Sequence, residues 1–326
     1  MNLVERVFLT RYFARLPCQR SNPPAMAPRM TANAAHHTRT GLIAGLSAYI
    51  IWGFMPILFH LLHAVPPLDV VAWRVVFTLP VCLVFVSISK GWNDLVTTLR
   101  QPRLVLRLVV SALLVGTNWT LYVAAVVHGH VLATSLGYYI NPLVNVALGT
   151  LFLGERLSWR QWTAVAIAAA GITLLLGGAI AMLGTALSLA VTFSLYGLMR
   201  KTTPVKAITG LTIETMVLYP LAAFWAYGTT QGAAVSAMGG GGLTPVLLVS
   251  SGLITAVPLI LFAVAARNLA LSTLGFLQFT APTIVFLIGI VLGETLDTLR
   301  VACFVLIWIA LALFVWDIWR RNRLAR

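Results

Sequence analysis

From Gly41 onward the chain alternates long apolar stretches with short polar ones. A helix needs about 20 predominantly apolar residues to cross a hydrocarbon core of roughly 30 Å. The pattern predicts ten such spans, at 41–63, 68–89, 104–126, 131–153, 160–178, 180–199, 208–228, 244–266, 270–292 and 299–319. The fifth and sixth run together, because residues 161–199 contain no Asp, Glu, Lys or Arg. A single helix of that length would extend about 58 Å, so the chain must turn, and Gly177-Gly178 is the expected place. Residues 1–40 break the pattern. They carry Arg6, Arg11, Arg15, Arg20, Arg29 and Arg39 and the loop-like SNPPAMAP, and VFLTRYFARL is interrupted by arginine where a signal peptide needs a continuous apolar run. This segment is expected to be a disordered basic cytoplasmic tail, or residues ahead of a true start at Met26 or Met30; an amphipathic surface anchor is the alternative.

Composition narrows the class. Of 326 residues 60% are hydrophobic and 9% charged, with a mean hydropathy of +0.93. Soluble domains carry roughly 25% charged residues, so these cannot coat a globular surface. The chain reads as an all-α polytopic membrane protein whose surroundings are the lipid bilayer. The net charge of +14 would suggest nucleic acid in a soluble protein, but the basic residues lie between the apolar stretches, where they set topology. No nucleic-acid partner is expected. Cys18, Cys82 and Cys303 match no metal spacing, and the last two lie within spans, so packing is their expected role.

The positive-inside rule fixes the threading. With the N-terminus in the cytoplasm, the inner segments are the tail, the loops near 90–107, 154–160, 200–207 and 267, and the basic C-terminal tail, 321–326 included. Of the 22 Lys and Arg, only Arg74 and Arg300 fall outside these segments. Both termini are therefore expected inside.

The halves resemble each other at an offset of about 140 residues. LDVVAWRVVFTLP (68–80) lies over ITGLTIETMVLYP (208–220), SLGYYINP (135–142) over TLGFLQFTAP (273–282), and FLGERLS (152–158) over VLGETLD (291–297). Each half, 41–179 and 180–320, holds five predicted spans. An odd number threads the second half with the opposite orientation, as in the inverted repeats of secondary transporters.

Four groups of residues could carry chemistry. Arg74 lies inside an apolar run, where a guanidinium costs a few kcal/mol or more. It falls about six residues into its span, so it could snorkel or form a structural ion pair, or serve a substrate-anion site or external gate. Glu214, its repeat partner, is equally deep from the opposite face, which leaves about 12 Å between the two backbones. It is a candidate for proton coupling, with a hydrogen-bonded structural carboxylate as the alternative. Thr134, Tyr138, Asn141 and Asn145 share one helical face, and Ser111, Asn118 and Tyr122 share another. These two faces, with Gln278, could line a midplane cavity; interhelical hydrogen bonding is the alternative. His60, His63, His128 and His130 belong to the outer face. Wet helix ends explain them better than a metal, since no acidic or thiol ligand accompanies them. Trp52, Phe59 and the other aromatics are expected to face lipid or to pack.

NWTLYVAAVVHGHVLATSLGYYINPLVNVALGTLFLGERLSWRQW (118–162), TGLTIETMVLYP (209–220) and LSTLGFLQFTAPTIVFL (271–287) resemble the RarD branch of the EamA-type drug/metabolite transporters. The resemblance covers about 41–320. It implies ten helices in two inverted EamA repeats and a permease in a bacterial inner membrane, with a branch label tied to chloramphenicol sensitivity. Two positions depart from the branch: Trp73 stands where members often have histidine, and Ala133 where they tend to have glutamate. If that glutamate serves coupling, Glu214 is the remaining buried candidate.

The expected function is a secondary transporter that exports a small metabolite or drug-like compound by alternating access, and that could be coupled to protons. No GxxxxGK[ST] loop is present for ATP, and no cofactor is expected. A non-transporting sensor or assembly factor is the alternative; an intramembrane enzyme would need a nucleophile–base pair or a metal cluster. GLIAG (41–45) has the GxxxG spacing of a helix-packing face, through which a homodimer could form.

Overall fold

The computed structural model describes residues 32–324 apart from 129, 177–182, 229–237, 239–241 and 292–297. All regular elements among them are helices: α1 (Ala32–Gly53), α2 (Met55–Leu61), α3 (Pro67–Ile88), α4 (Trp92–Leu99), α5 (Pro102–Val127), α6 (Val131–Leu153), α7 (Trp159–Leu176), α8 (Leu183–Thr202), α9 (Ala207–Gly228), α10 (Thr244–Asn268), α11 (Leu271–Gln278), α12 (Thr280–Val291) and α13 (Thr298–Leu324). Proline opens α2, α3, α5 and α10, where its missing N–H would be unpaired anyway.

Nine helical stretches among the described residues are long and apolar enough to cross a membrane. The expected fifth span corresponds to α7, 18 residues long, which lies outside that set but packs along α13. The expected turn at Gly177-Gly178 falls outside the described residues, as do 1–31 of the tail and most of GETLDTLR. Helix α1 begins at Ala32, within the 1–40 stretch expected as tail. His37 Nδ1 donates to Asn268 Oδ1 at 3.0 Å, tying this first stretch of α1 to the end of α10. The loop near 90–107 also holds the short helix α4.

The outer surface is lipid-like. Ile88, Leu151, Phe224 and Val291 are each more than 70% exposed, which in water would create adhesive patches. Trp92, Trp159, Trp162, Trp316 and Trp319 are also exposed and sit near helix ends, the place of an interfacial aromatic belt. In a bilayer the helices gain little from hiding apolar surface, so close packing and interhelical hydrogen bonds hold them.

Helix α1 packs along α10 and α12, α3 along α9 and α10, α5 along α8, α6 along α8 and α11, and α7 along α13. The α3–α10 crossing is tight. A Cβ at Gly252 would stand 2.5 Å from the backbone carbonyl of Phe77. At the same crossing the Thr78 hydroxyl donates to the Arg74 carbonyl (2.6 Å) and to that of Gly252 (3.3 Å). The GLIAG face is covered within the chain. Cβ atoms at Gly41 and Gly45 would meet Leu269 at 2.8 Å and Leu277 at 3.1 Å.

Candidate substrate cavity

The crossing of α3 and α10 sets Arg74 against Thr255, whose hydroxyl accepts from Arg74 Nε at 2.9 Å. Both side chains are buried. The guanidinium carbon lies 5.6 Å from the ring centroid of Phe59 on α2 and 5.5 Å from that of Trp119 on α5. Such cation–π contacts contribute about 0.5–2 kcal/mol each. Among the described residues no ion pair includes Arg74. Its partners are therefore a hydroxyl and two aromatic rings rather than a carboxylate.

Arg74 opens on a cavity of about 520 Å³, within the roughly 300–1,000 Å³ of sites for small organic ligands. Its walls come from α1, α2, α3, α5, α6, α8, α10, α11 and α12, and they reach from the 62–67 loop down to Tyr49, Phe193 and Gln278. The walls are mainly aromatic and aliphatic. Tyr122 stacks near Phe59 at 6.4 Å and meets Tyr138 at 6.1 Å between ring centroids. At the deep end Trp52, Phe193, Tyr49 and Phe262 form a continuous aromatic layer, with centroids 5.3–6.4 Å apart.

Five of the expected pathway residues line this cavity, Arg74, Asn118, Tyr122, Tyr138 and Gln278, and so does His63. Asn118 is held by its amide, which donates to the Leu189 carbonyl (2.8 Å) and the Thr192 hydroxyl (2.9 Å). Asn141 and Asn145 are not in the wall. They are almost fully buried behind it, where the Ser194 hydroxyl donates to Asn141 Oδ1 and the Asn145 amide donates to Gln278 Oε1 at 3.3 Å. The physical reason is that α6 is covered on two sides, by α8 and by α11. Its polar face therefore meets the cavity at Ser135 and Tyr138 and neighbouring helices one turn further on. Trp52 and Phe59, expected to face lipid or pack, belong to the wall.

Glu214 is a separate site. It accepts from the Ser111 hydroxyl at 2.6 Å and from Arg200 Nη1 at 3.2 Å, and Tyr196 lies at 3.5 Å. Arg200 also donates to the Ala207 carbonyl at 2.9 Å. Arg200 had been counted with the loop at 200–207; it is instead a buried residue of α8, 3% exposed. Glu214 is also not alone as a buried acid, since Asp69 and Asp317 are buried too. Asp69 accepts from Trp225 Nε1 at 2.9 Å. Asp317 pairs with Arg321 at 3.0 Å and accepts from Ser158 at 2.7 Å.

A fourth carboxylate, Glu155 in the loop after α6, caps the N-terminus of α11. It accepts from the backbone N–H groups of Leu271 and Ser272 and from the Ser272 hydroxyl. The rings of His60 and His63 lie 6.0 Å apart. His63 donates to the His60 carbonyl at 2.8 Å and His128 to that of Ala124 at 2.7 Å. Among the described residues no three His, Cys, Asp or Glu are grouped as around a metal.

Residues 39–177 match the EamA-like transporter family. Protein RarD of Escherichia coli strain K12 is 42% identical over 87% of this chain and 96% of its own length. An uncharacterized transporter of Pseudomonas aeruginosa is 42% identical over 89% of this chain and 98% of its own. A solved crystal structure shares the fold at 19% identity, with a TM-score of 0.66 over 85% of this chain and 97% of that one. With relatives this similar matched over nearly their whole length, the chain belongs to the RarD branch of the EamA-like transporters, as a multi-pass membrane permease and not an enzyme.

Proposed function

We propose that this permease exports a small organic compound across a bacterial inner membrane by alternating access, with the cavity at Arg74 as its binding site. The observation that carries the reading is a chamber of about 520 Å³ built jointly by helices before and after residue 180. The helix pairing supports two inverted repeats, 41–179 and 180–320. Helices α3 and α9 are repeat counterparts and pack together, as do α7 and α13, while the α1–α10 contact corresponds to α5–α8. A pseudo-two-fold arrangement of this kind suits rocking about a central site.

With both termini in the cytoplasm, the 62–67 loop that borders the cavity lies on the outer side. The opposite side is closed by Lys201, which donates to the Ala266 and Leu269 carbonyls, and by the Glu155 cap on α11. This is the arrangement of an outward-open carrier.

Proton coupling through Glu214 is a second reading, favoured by one observation. A void of about 10 Å³ touches Glu214 and shares Trp119 and Leu259 with the main cavity.

The test is the extracellular and intracellular metabolite profile of cells lacking the protein, carrying wild type, or carrying Glu214→Gln at matched membrane levels. Export predicts a compound that wild type raises in the medium and lowers inside. Coupling predicts that wild-type export responds to collapse of the proton gradient and that Glu214→Gln export does not. No change in any compound with wild type would favour a sensor; export by Glu214→Gln that still follows the gradient would leave the carboxylate a structural role.

A further inference from the structure

We infer that the cavity selects a small organic monoanion, a carboxylate held by Arg74 and attached to an apolar or aromatic body. The inference rests on the cavity being the transport site and adds the chemical class of what enters it. Arg74 commits Nε to Thr255, and its two terminal nitrogens have no hydrogen-bond or ion-pair partner among the described residues. Phe59 and Trp119 attract the cation through their faces but offer no oxygen acceptor. A guanidinium left this way in a low-dielectric site lacks the counter-charge that buried cations normally require. A carboxylate supplies it, with two oxygens matched to the guanidinium fork.

The charge of the lining sharpens the class. Among the described lining residues Arg74 is the only Lys or Arg, and none is Asp or Glu. One fixed positive charge suits a monoanion. A zwitterion would bring an ammonium group with no carboxylate to receive it, and an amine would meet the charge of Arg74 with only ring faces to offset it. The body of the ligand is fixed by the rest of the wall. Trp119, Tyr122, Tyr138 and Phe59 present rings around the arginine, which favours an aromatic or compact aliphatic group over a sugar.

Four probes with one carbon skeleton separate these cases: 3-phenylpropionate, 3-phenylpropionamide, 3-phenylpropylamine and phenylalanine. Each is titrated calorimetrically into the purified full chain in detergent, with thermal unfolding recorded alongside. Wild type is expected to bind the carboxylate at least about tenfold more tightly than the amide, a difference of about 1.4 kcal/mol. The amine and the zwitterion are expected to bind no better than the amide. Arg74→Gln should bring the carboxylate to the level of the amide, and Arg74→Lys should retain a preference. If Arg74→Gln fails to fold, Thr255→Asp serves the same purpose, because it places an internal carboxylate against Arg74 and should remove the preference.

Equal binding of carboxylate and amide, tighter binding of the amine or zwitterion, binding of no probe, or a preference that survives both Arg74→Gln and Thr255→Asp would overturn the inference. The permease reading is judged separately by the metabolite profile. An exported cation or neutral compound there would leave the permease and remove the anion.

Discussion

Arg200→Ala is expected to destabilise the protein by about 3–5 kcal/mol, the cost of leaving one member of a buried ion pair alone. Arg200 and Glu214 are 3% and 1% exposed, 3.2 Å apart. Their cluster ties α8 and α9 to α5 through Ser111. Removing the cation leaves a carboxylate with only the two hydroxyls of Ser111 and Tyr196 to face it. The double variant Arg200→Met, Glu214→Leu removes both charges and keeps much of the volume, so it should recover most of the loss. Thermal unfolding of purified protein in detergent, read as the monodisperse fraction after heating, distinguishes the outcomes. A single variant as stable as wild type, or a double variant no better than the single, would show that the pair does not hold these helices together.

Gly252→Val is the second large effect. Its Cβ would press on the Phe77 carbonyl from 2.5 Å, and backbone cannot move aside as a side-chain tip can. Overpacking of this kind costs about 1–3 kcal/mol, but the functional cost is greater. Three residues along each helix from this contact lie Arg74 and Thr255, joined at 2.9 Å. Parting α3 from α10 pulls that bond open and moves the guanidinium within the cavity. Export at matched membrane levels should fall at least about tenfold, since a displaced charge-assisted contact is worth well over 1.4 kcal/mol. Leu253→Val, at a neighbouring position that is 48% exposed, should change neither stability nor export. Normal export by Gly252→Val would mean that the Arg74 geometry is not set by this crossing.

The spans were legible because a bilayer permits long apolar helices and little else, and the basic loops then gave an ordered threading to test. Arg74 was legible for the same reason, as a charge in a place where charge is expensive. Arg200 was not, because it lies beside Lys201 at the end of a span, where a loop cation and a buried one look alike in sequence. Its partner Glu214 lies on the next helix, and nothing in the spacing joins them. The aromatic wall was missed for a different reason. Trp119, Phe59 and Trp52 sit in apolar runs and carry no contrast that separates a cavity surface from a lipid surface. Asn141 and Asn145 show the limit of a helical face. The period marks the stripe, but which part of it meets the cavity depends on where α8 and α11 cover α6.

If the cavity beside Arg74 is the route of transport, a reagent fixed in its wall should block export. Ser135, exposed in its wall, gives the most direct access. Ser135→Cys would be placed in a chain whose Cys18, Cys82 and Cys303 are replaced by alanine, and treated in intact cells with a membrane-impermeant thiol reagent. The compound identified by metabolite profiling would then be followed as it leaves the cells. Labelling from outside is expected, with loss of export in proportion to it. Complete labelling with export unchanged would place the route elsewhere.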